Sequence, residues 1–81
     1  MSSTYGGFVE HLIKSVVENP DEVEIEEDAD GNTRTFYVNV NAEDVGKVIG
    51  KSGRVVSAIR CVVSAVAAKS RERAFVKIVT D

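Results

Sequence analysis

The stretch Val48-Ile49-Gly50-Lys51-Ser52-Gly53-Arg54 decides how this chain is interpreted. Two glycines frame a lysine and a serine, an apolar pair precedes them, and a second cation follows. Residues 42–49 predict a short helix, and apolar residues spaced three and four apart predict a long helix over residues 53–70. The apolar positions of the long helix are Val55, Val56, Ile59, Val62, Val63 and Val66. Residues 50–53 are therefore expected to form a turn between two helices.

A turn of this composition favours the binding of an anionic backbone. Its glycines present no side chains that would hold a ligand away, while Lys51, Ser52 and Arg54 offer positive charge and a hydroxyl group. The helix that follows would add unpaired N–H groups and the positive end of its dipole. These residues predict a turn that grips the phosphates of a single nucleic-acid strand.

The size and the charge distribution of the chain further limit the functions that it can have. With 81 residues, the chain is expected to form one domain with one modest core over residues 1–81. The net charge of −3 is unevenly divided, since residues 1–41 carry nine acids and two bases, and residues 42–81 carry four acids and eight bases. A local positive field can therefore bind phosphate on a molecule that is acidic overall.

The N-terminus and the apolar runs indicate where the protein works. Residues 1–4 lack the basic and apolar regions of a signal peptide, and no run approaches the ~18 apolar residues that span a bilayer. A cytoplasmic protein without membrane contact is expected. Cys61 is the single cysteine, which excludes an internal disulfide, and its place in the long helix predicts burial. His11, which lies off the apolar stripe of its helix, is expected at the surface.

Hydrophobic periodicity predicts the remaining elements. A first helix, capped by Ser2, Ser3 or Thr4, ends at Asn19-Pro20 because the residue before a proline avoids helical angles. Alternation predicts strands over residues 23–26 and 33–40, joined as a hairpin by a turn over residues 28–32. Residues 74–80 predict a last strand. The apolar stripe of the first helix is Phe8, Val9, Leu12, Ile13, Val16 and Val17.

The helix before the glycine turn carries its own start and stop signals. Asn41 is expected to cap it, with Asp44 in the position of a capping-box acid. Gly50 is expected to end it as a left-handed cap, a conformation that glycine adopts without steric conflict.

The element order α-β-β-α-α-β predicts an α+β fold. The two-helix crossover permits parallel pairing of the last strand, so a three-stranded mixed sheet with three helices packed on one face is expected. In the last strand, Phe75 and Val79 compete with Val76 and Ile78 for the inner face, and the pattern leaves this phase open. The residues expected to face the helices are Val23, Ile25, Phe36, Val38, Val40, Val76 and Ile78.

An apolar pair, a Gly-x-x-Gly turn and spaced aliphatic residues such as Val56 and Ile59 together resemble the signature of the KH domain. The element order is similar to the type II KH arrangement, and the length resembles the small single-KH bacterial RNA-binding proteins of the KhpA type. The local stretches at residues 19–23 and 46–54 are typical of that family. The resemblance covers essentially the whole chain.

The resemblance implies that the turn clamps the backbone of about four nucleotides of single-stranded RNA. Gly50 and Gly53 would allow close approach, and Lys51, Ser52 and Arg54 would contact phosphate. An apolar floor for bases would come from Val48 and Ile49, backed by Val56 and Ile59. Lys47 and Arg60 would reach flanking phosphates. The central strand and the acidic loop at residues 28–33 would form the other wall of the groove.

The family further implies an RNA chaperone or post-transcriptional regulator that pairs with itself or with a second KH-containing RNA-binding protein. The alternative is a protein-interaction or dimerisation module with little RNA binding of its own.

Other chemistries fit the residues poorly. A nucleotide-binding P-loop requires a glycine at position 45, which is valine, and it leaves a strand where this turn leaves a helix. A calcium loop beginning at Asp28 would need a bidentate glutamate at position 39, which is asparagine. The single histidine and single cysteine fall on different helices, so no catalytic set is available. No enzyme, cofactor, metal or small-molecule substrate is expected.

Overall fold

The computed structural model describes residues 5–79 and has the predicted α+β architecture. Three α-helices form from residues Gly6–Val16 (α1), Val45–Ile49 (α2) and Arg54–Lys69 (α3). Three strands form from residues Glu24–Asp30 (β1), Thr33–Asn39 (β2) and Arg73–Ile78 (β3). Short 3₁₀ turns cover Pro20–Glu22, Ala42–Asp44 and Lys51–Gly53. The expected caps Ser2, Ser3 and Thr4, and the strand position Thr80, lie outside the described residues.

The three strands form the predicted mixed sheet in the order β1-β2-β3. β1 pairs with β2 in antiparallel fashion, and β3 pairs with β2 in parallel after the crossover through α2 and α3. β2 is therefore the central strand, and β1 and β3 are the two edges.

The core lies between the sheet and the helices. Phe36, Val38 and Val76 project from the sheet and are almost fully buried. Burial of each such side chain stabilises the fold by ~1.5–3 kcal/mol, so this layer accounts for much of the stability. The helical residues that pack against it are Val9 and Ile13 of α1, Val48 of α2, and Ile59, Val63 and Ala67 of α3.

The phase of the last strand, which the sequence pattern left open, is settled by burial. Ala74 and Val76 are buried, whereas Phe75 is 49% exposed. The face carrying Val76 and Ile78 therefore packs on the helices, and the rival face carrying Phe75 is open.

The prediction that Cys61 is buried is wrong, because Cys61 is exposed on α3. Val62, assigned to the apolar stripe, is also 43% exposed. A helix that lies on a sheet buries a narrow stripe, and α3 buries positions 56, 59, 63 and 67, which leaves positions 61 and 62 on its outer flank. In α1, the stripe position Phe8 is likewise 36% exposed, while Val9 and Ile13 have no exposed surface.

The first hairpin is tighter than the sequence predicted. Asp28, Ala29 and Asp30 were assigned to the turn but belong to β1, where Asp30 pairs with Thr33. Only Gly31 and Asn32 form the turn, and Gly31 has the positive φ of +63° that a tight hairpin requires. Ladder pairing with β2 outweighs the low strand propensity of aspartate, since its side chains can remain in solvent.

A polar network joins the ends of several elements on the helical side. The Tyr5 hydroxyl donates to Glu72 Oε1 over 2.7 Å, and Arg34 Nε donates to the same carboxylate over 3.2 Å. Arg34 Nη1 also donates to Glu27 of β1. Burial and the neighbouring Glu72 raise the pKa of Tyr5 to about 12, so the hydroxyl keeps its proton and donates at physiological pH. The network ties the start of α1 to both edges of the sheet.

Asp44 performs a different task from the one predicted. Asn41 caps the turn as expected, because its Oδ1 accepts from the backbone N–H of Glu43 over 2.8 Å. The carboxylate of Asp44 instead accepts from the backbone N–H groups of Glu18 and Asn19 and from Asn19 Nδ2, at 3.0–3.2 Å. Asp44 has no exposed surface, so it fixes the segment after α1 against the start of α2.

We expect Asp44→Ala to lower the melting temperature markedly, because three donors lose their acceptor inside the protein. Burial alone would raise the pKa of Asp44, but hydrogen bonds from Asn19 and from the Glu18 backbone hold it below the ordinary value of 3.8. A lowered pKa means that the charged form stabilises the fold above about pH 4, and that this contribution is lost as the pH falls through the folded-state pKa.

Thermal unfolding from pH 7 to pH 2 checks this expectation, with Glu43→Ala as the control because that neighbouring side chain is exposed. The gap in melting temperature between wild type and Asp44→Ala should narrow in acid. A gap of equal size at pH 7 and pH 2 would contradict the role of the carboxylate charge.

Among residues 5–79, no helix is long and apolar enough to cross a membrane.

Candidate nucleic-acid interface

The predicted turn lies at the junction of α2 and α3. The N–H of Gly50 closes α2 by donating to the carbonyl of Gly46 over 2.8 Å. A 3₁₀ turn over Lys51–Gly53 follows, closed by a bond of 3.1 Å from the Gly53 N–H to the Gly50 carbonyl. Two consecutive tight bends thus lead the chain directly into α3.

The backbone of this turn depends on unusual dihedral angles. Gly50 has φ +78° and ψ 174°, Ser52 has φ +58°, and Gly53 has φ +75° and ψ 14°. Gly50 was predicted to be a left-handed cap; its φ is positive as expected, but its ψ is extended, and only glycine enters that region readily. The left-handed residues are Ser52 and Gly53. Ser52, as a non-glycine residue, stores about 1 kcal/mol of backbone strain in a surface loop.

Gly50 is also required by close packing. A Cβ at this position would lie 2.8 Å from the backbone nitrogen of Val55 and would overlap the Val55 side chain. At Gly53, a Cβ would meet no atom within 4 Å. The two glycines therefore have different roles: Gly50 allows the turn to fold against α3, while Gly53 supplies a left-handed angle on the open side.

Positive charge at the turn is exposed and uncompensated. Lys51 and Arg54 are exposed, and neither forms an ion pair with another residue in the part of the chain from 5 to 79. The first turn of α3 contains no acidic residue, and no side chain caps it. The N–H of Arg54 donates to the carbonyl of Lys51. The positive end of the helix dipole lies beside both cations and the Ser52 hydroxyl, an arrangement that favours an anion.

The other predicted site residues occupy a range of environments. Lys47 Nζ lies 3.2 Å from Glu18 Oε2, in an exposed ion pair of the kind that contributes only ~0–1 kcal/mol and is readily exchanged. Val48 is fully buried, so it supports the turn from beneath. Ile49 is half-buried beside it. Val56 and Ile59, each 6% exposed, belong to the core.

Arg60 lies one and a half turns along α3 and reaches across to the sheet. Its Nε donates to the carbonyl of Val76 over 3.0 Å. Val76 belongs to β3, and no strand formed by residues 5–79 pairs with the outer edge of β3. A groove lined by Arg60, Ser64, Ala74 and Phe75 follows this edge.

The second wall of the groove differs from the one expected. The edge strand β3, and not the central strand β2, lies beside α3. The acidic hairpin was expected near the turn, but the pairing of Thr33 with Arg73 places it by the C-terminal end of α3. The 16 residues of α3 separate that end from residues 50–53 by ~24 Å. The acids at Asp28 and Asp30 therefore leave the field at the turn largely unopposed.

Sequence reasoning missed the half-exposed Phe75 as a groove residue. The sequence contained a signal, because alternation in a strand places residues 75 and 77 on the same side. The charged Lys77 indicates that this side is exposed, and Phe75 with it. As for other chemistry, no group of three His, Cys, Asp or Glu side chains within residues 5–79 is placed to hold a metal ion.

We expect Gly50→Ala to destabilise the protein more than Gly53→Ala. The first substitution forces a Cβ into Val55 and into a glycine-only backbone region, with a loss of ~2 kcal/mol or more. The second meets open space and loses only the ~1–2 kcal/mol of a left-handed residue. Urea unfolding of both variants checks the difference. Equal losses would show that the packing of Gly50 on Val55 contributes nothing.

Comparison with known proteins agrees with this geometry. A family model described as KhpA/KhpB, KH domain matches residues 7–78. The RNA-binding protein KhpA of Halalkalibacterium halodurans is 41% identical over 71 residues, which cover 88% of this chain and 93% of that protein. KhpA of Caldanaerobacter subterraneus is 42% identical over 74 residues, covering 91% and 99% of the two chains. KhpA of Clostridium acetobutylicum is 42% identical over 71 residues, covering 88% and 95%. The resemblance expected from the glycine turn and the element order is confirmed, and the chain belongs to the KhpA/KhpB family of KH domains.

Proposed function

We propose that this protein binds single-stranded RNA and grips its backbone at the turn formed by residues 50–53. The observation that carries the proposal is the junction of a helix N-terminus with two exposed cations, Lys51 and Arg54. Within residues 5–79, no side chain caps this helix end and neither cation forms an ion pair. The tight backbone of the turn lets a sugar–phosphate chain approach these groups closely. Relatives over nearly the whole chain are named RNA-binding proteins, which supports RNA as the ligand.

The groove along β3 provides a path for the bound RNA strand. From the turn, an RNA strand would run between α3 and the free edge of β3, past Arg60 and Phe75. The Val76 carbonyl already holds Arg60 across this gap, so the guanidinium is positioned beside the path. Lys47 would exchange Glu18 for phosphate at the near end. The half-buried Ile49 would support the first bases from beneath, and the fully buried Val48 would hold the turn in place behind it. A path that begins at the turn and stops before the acidic hairpin suits about four nucleotides.

A domain that holds few nucleotides has modest affinity alone. Binding beside a second RNA-binding domain raises the effective concentration of the strand and strengthens attachment. We therefore propose that residues 1–81 form one KH domain. Its partner would be either a second copy of this chain or another KH-containing protein. In this role it acts without catalysis as a cytoplasmic RNA chaperone or post-transcriptional regulator, and it needs no metal, cofactor, small-molecule substrate or membrane.

The turn is tested by replacing Lys51 and Ser52 with aspartate. We expect affinity for a short single-stranded RNA to fall about tenfold or more, since each hydrogen bond to a charged group contributes ~1.5–3 kcal/mol. The chain contains a matched control in Lys14-Ser15, an identical dipeptide exposed on α1. Its replacement by two aspartates makes the same change in net charge away from the turn.

Fluorescence anisotropy with labelled RNA, together with thermal melting, distinguishes the outcomes. The proposed function is supported if the turn variant loses affinity for RNA at an unchanged melting temperature and the α1 control binds RNA as wild type does. If both variants bind equally well, the protein is better described as an interaction module with little RNA binding of its own.

Salt dependence tests the contribution of phosphate contacts. On single strands, each neutralised phosphate contributes about −0.7 to the slope of log K against log salt concentration. We expect Arg54→Ala to reduce the magnitude of the slope by about 0.7, because one cation would leave the phosphate path. Binding measured from 50 to 300 mM KCl checks this value. An identical slope in wild type and variant would show that Arg54 does not contact phosphate.

A further inference from the structure

Phe75 is the most exposed of the large apolar side chains among residues 5–79. Its exposed fraction is 49%, whereas the other large apolar side chains at the surface are 36–43% exposed. β3 projects this ring from the face of the sheet turned away from the helices, because the neighbouring Ala74 and Val76 are buried on the helical side. A single exposed apolar residue is common at a protein surface, so a role for Phe75 depends on what surrounds it.

Two cations flank Phe75 on its own strand. Arg73 and Lys77 alternate with it along β3, so the three side chains leave the same face of the sheet at intervals of about 6.6 Å. Neither cation forms an ion pair with another residue in the described part of the chain. Lys77 Nζ lies 5.9 Å from the centre of the Tyr37 ring on the neighbouring strand β2. The outer side of β3 therefore presents an aromatic ring between two positive charges.

Phe75 also lines the groove that leads away from the glycine turn. The part of this groove beside Arg60 reaches both Phe75 and Lys77. A second part continues past Phe75 along α3 toward the hairpin end of β3, and the two parts share Ser64, Ala74 and Phe75. The second part is also lined by Ala68, Glu72 and Arg73. An RNA strand that leaves the turn along α3 therefore meets Phe75 midway along the edge of β3.

We propose that Phe75 stacks against a base of the bound RNA strand, and that Lys77 and Arg73 hold the phosphates on either side of that base. The strand thereby leaves the groove over the free edge of β3 and reaches the outer face of the sheet. The inference rests on the proposed function, and it adds a contact beyond the few nucleotides that the turn and the groove hold. Phe75 contributes a ring face to the RNA, and the two cations contribute positive charge.

The combination of an aromatic ring and flanking cations favours a nucleic-acid strand as the occupant. Proteins bind single strands by stacking bases on aromatic side chains while cations follow the phosphate backbone. The same strand that the turn holds would bring both a base and phosphates to β3, which makes this contact continuous with the proposed site. Stacking tolerates every base, because each base has a ring face. A purine offers the larger ring face, so we expect a purine to be preferred at this position.

Carboxylates on β1 confine the strand to the β3 edge. They project from the same outer face, about 10 Å from β3 across the sheet, and are Glu24, Glu26, Asp28 and Asp30. This distance exceeds the Debye length of about 8 Å at physiological salt, so the cations of β3 dominate at their own edge and repulsion grows toward β1. Glu72 lies next to Arg73 in the chain, but its carboxylate is paired with Arg34 at 3.2 Å. The RNA strand would therefore follow β3 and would not cross the sheet.

The test removes single bases from the RNA as well as the ring from the protein. In a set of eight-nucleotide single-stranded RNAs, one base at a time is replaced by an abasic sugar, and fluorescence anisotropy measures binding to the full chain. We expect one position at which loss of the base lowers the affinity of the wild type about fivefold or more, as is typical of stacking on an aromatic side chain. Phe75→Leu should lower the affinity for intact RNA by a similar factor. Loss of that same base should then have no further effect, because the two changes remove one contact.

Two further variants serve as controls. Phe75→Tyr keeps the aromatic ring and should bind RNA as wild type does, and Phe8→Leu makes the matched change at an exposed phenylalanine of α1. Support requires that the wild type, Phe75→Tyr and Phe8→Leu share one abasic profile that Phe75→Leu lacks, at an unchanged melting temperature.

Three results would overturn the proposal. One is an identical abasic profile in wild type and Phe75→Leu, and another is an equal loss of affinity in Phe75→Leu and Phe75→Tyr. The third is a Phe75→Leu variant that changes the sedimentation of the protein alone and not its affinity for RNA, which would assign the ring to a protein contact. The Lys51→Asp/Ser52→Asp variant separates the two proposals. If it binds RNA as wild type does, the proposed function fails; if it loses affinity and Phe75→Leu does not, only this inference fails.

Discussion

The absence of a side chain at Gly50 is the constraint on which the site depends. The chain leaves α2 and bends back against α3 so tightly that the space for a Cβ is already occupied by Val55. Because of this contact, the first amides of α3, the Lys51 ammonium and the Arg54 guanidinium all occupy one small surface. A larger residue would separate α2 from α3 and spread these groups apart. The proposed binding surface is thus a consequence of backbone packing more than of any one charged residue.

A buried polar anchor and a partly buried one hold the two ends of the α2–α3 unit in place. Asp44 fixes the start of α2 to the segment after α1 through three hydrogen bonds. The network of Tyr5, Glu72 and Arg34 fixes the opposite end, where α3 turns into β3. A polar group that is buried and fully paired specifies geometry strongly, because any shift would leave donors or acceptors unsatisfied. Together the anchors connect the start of α2 and the segment after α3 to the rest of the fold.

Separation of charge allows an acidic protein to attract an anionic ligand. Most carboxylates of β1 lie on the sheet face turned away from the helices and at the hairpin, whereas Lys51 and Arg54 lie at the N-terminal end of α3. At physiological ionic strength the Debye length is about 8 Å, so charges ~24 Å apart scarcely affect each other. The net charge of −3 therefore affects the solubility of the protein, whereas the local positive field at the turn determines its attraction for phosphate.

Local patterns in the sequence determined the helices, the strands and the glycine turn. Periodicities of 3.6 and 2 reflect which side chains share a face, and the positive φ values at Gly31, Gly50 and Gly53 follow from what glycine alone adopts easily. Those patterns were sufficient to predict the order of helices and strands and the position of the glycine turn at residues 50–54. Only the tertiary structure decided that Cys61 is exposed, that Asp44 binds the loop after α1, and that β3 is the edge beside α3. The reason is that these outcomes depend on contacts between residues 25 or more positions apart, or on which side of a helix packs against the sheet, and no local spacing records such contacts.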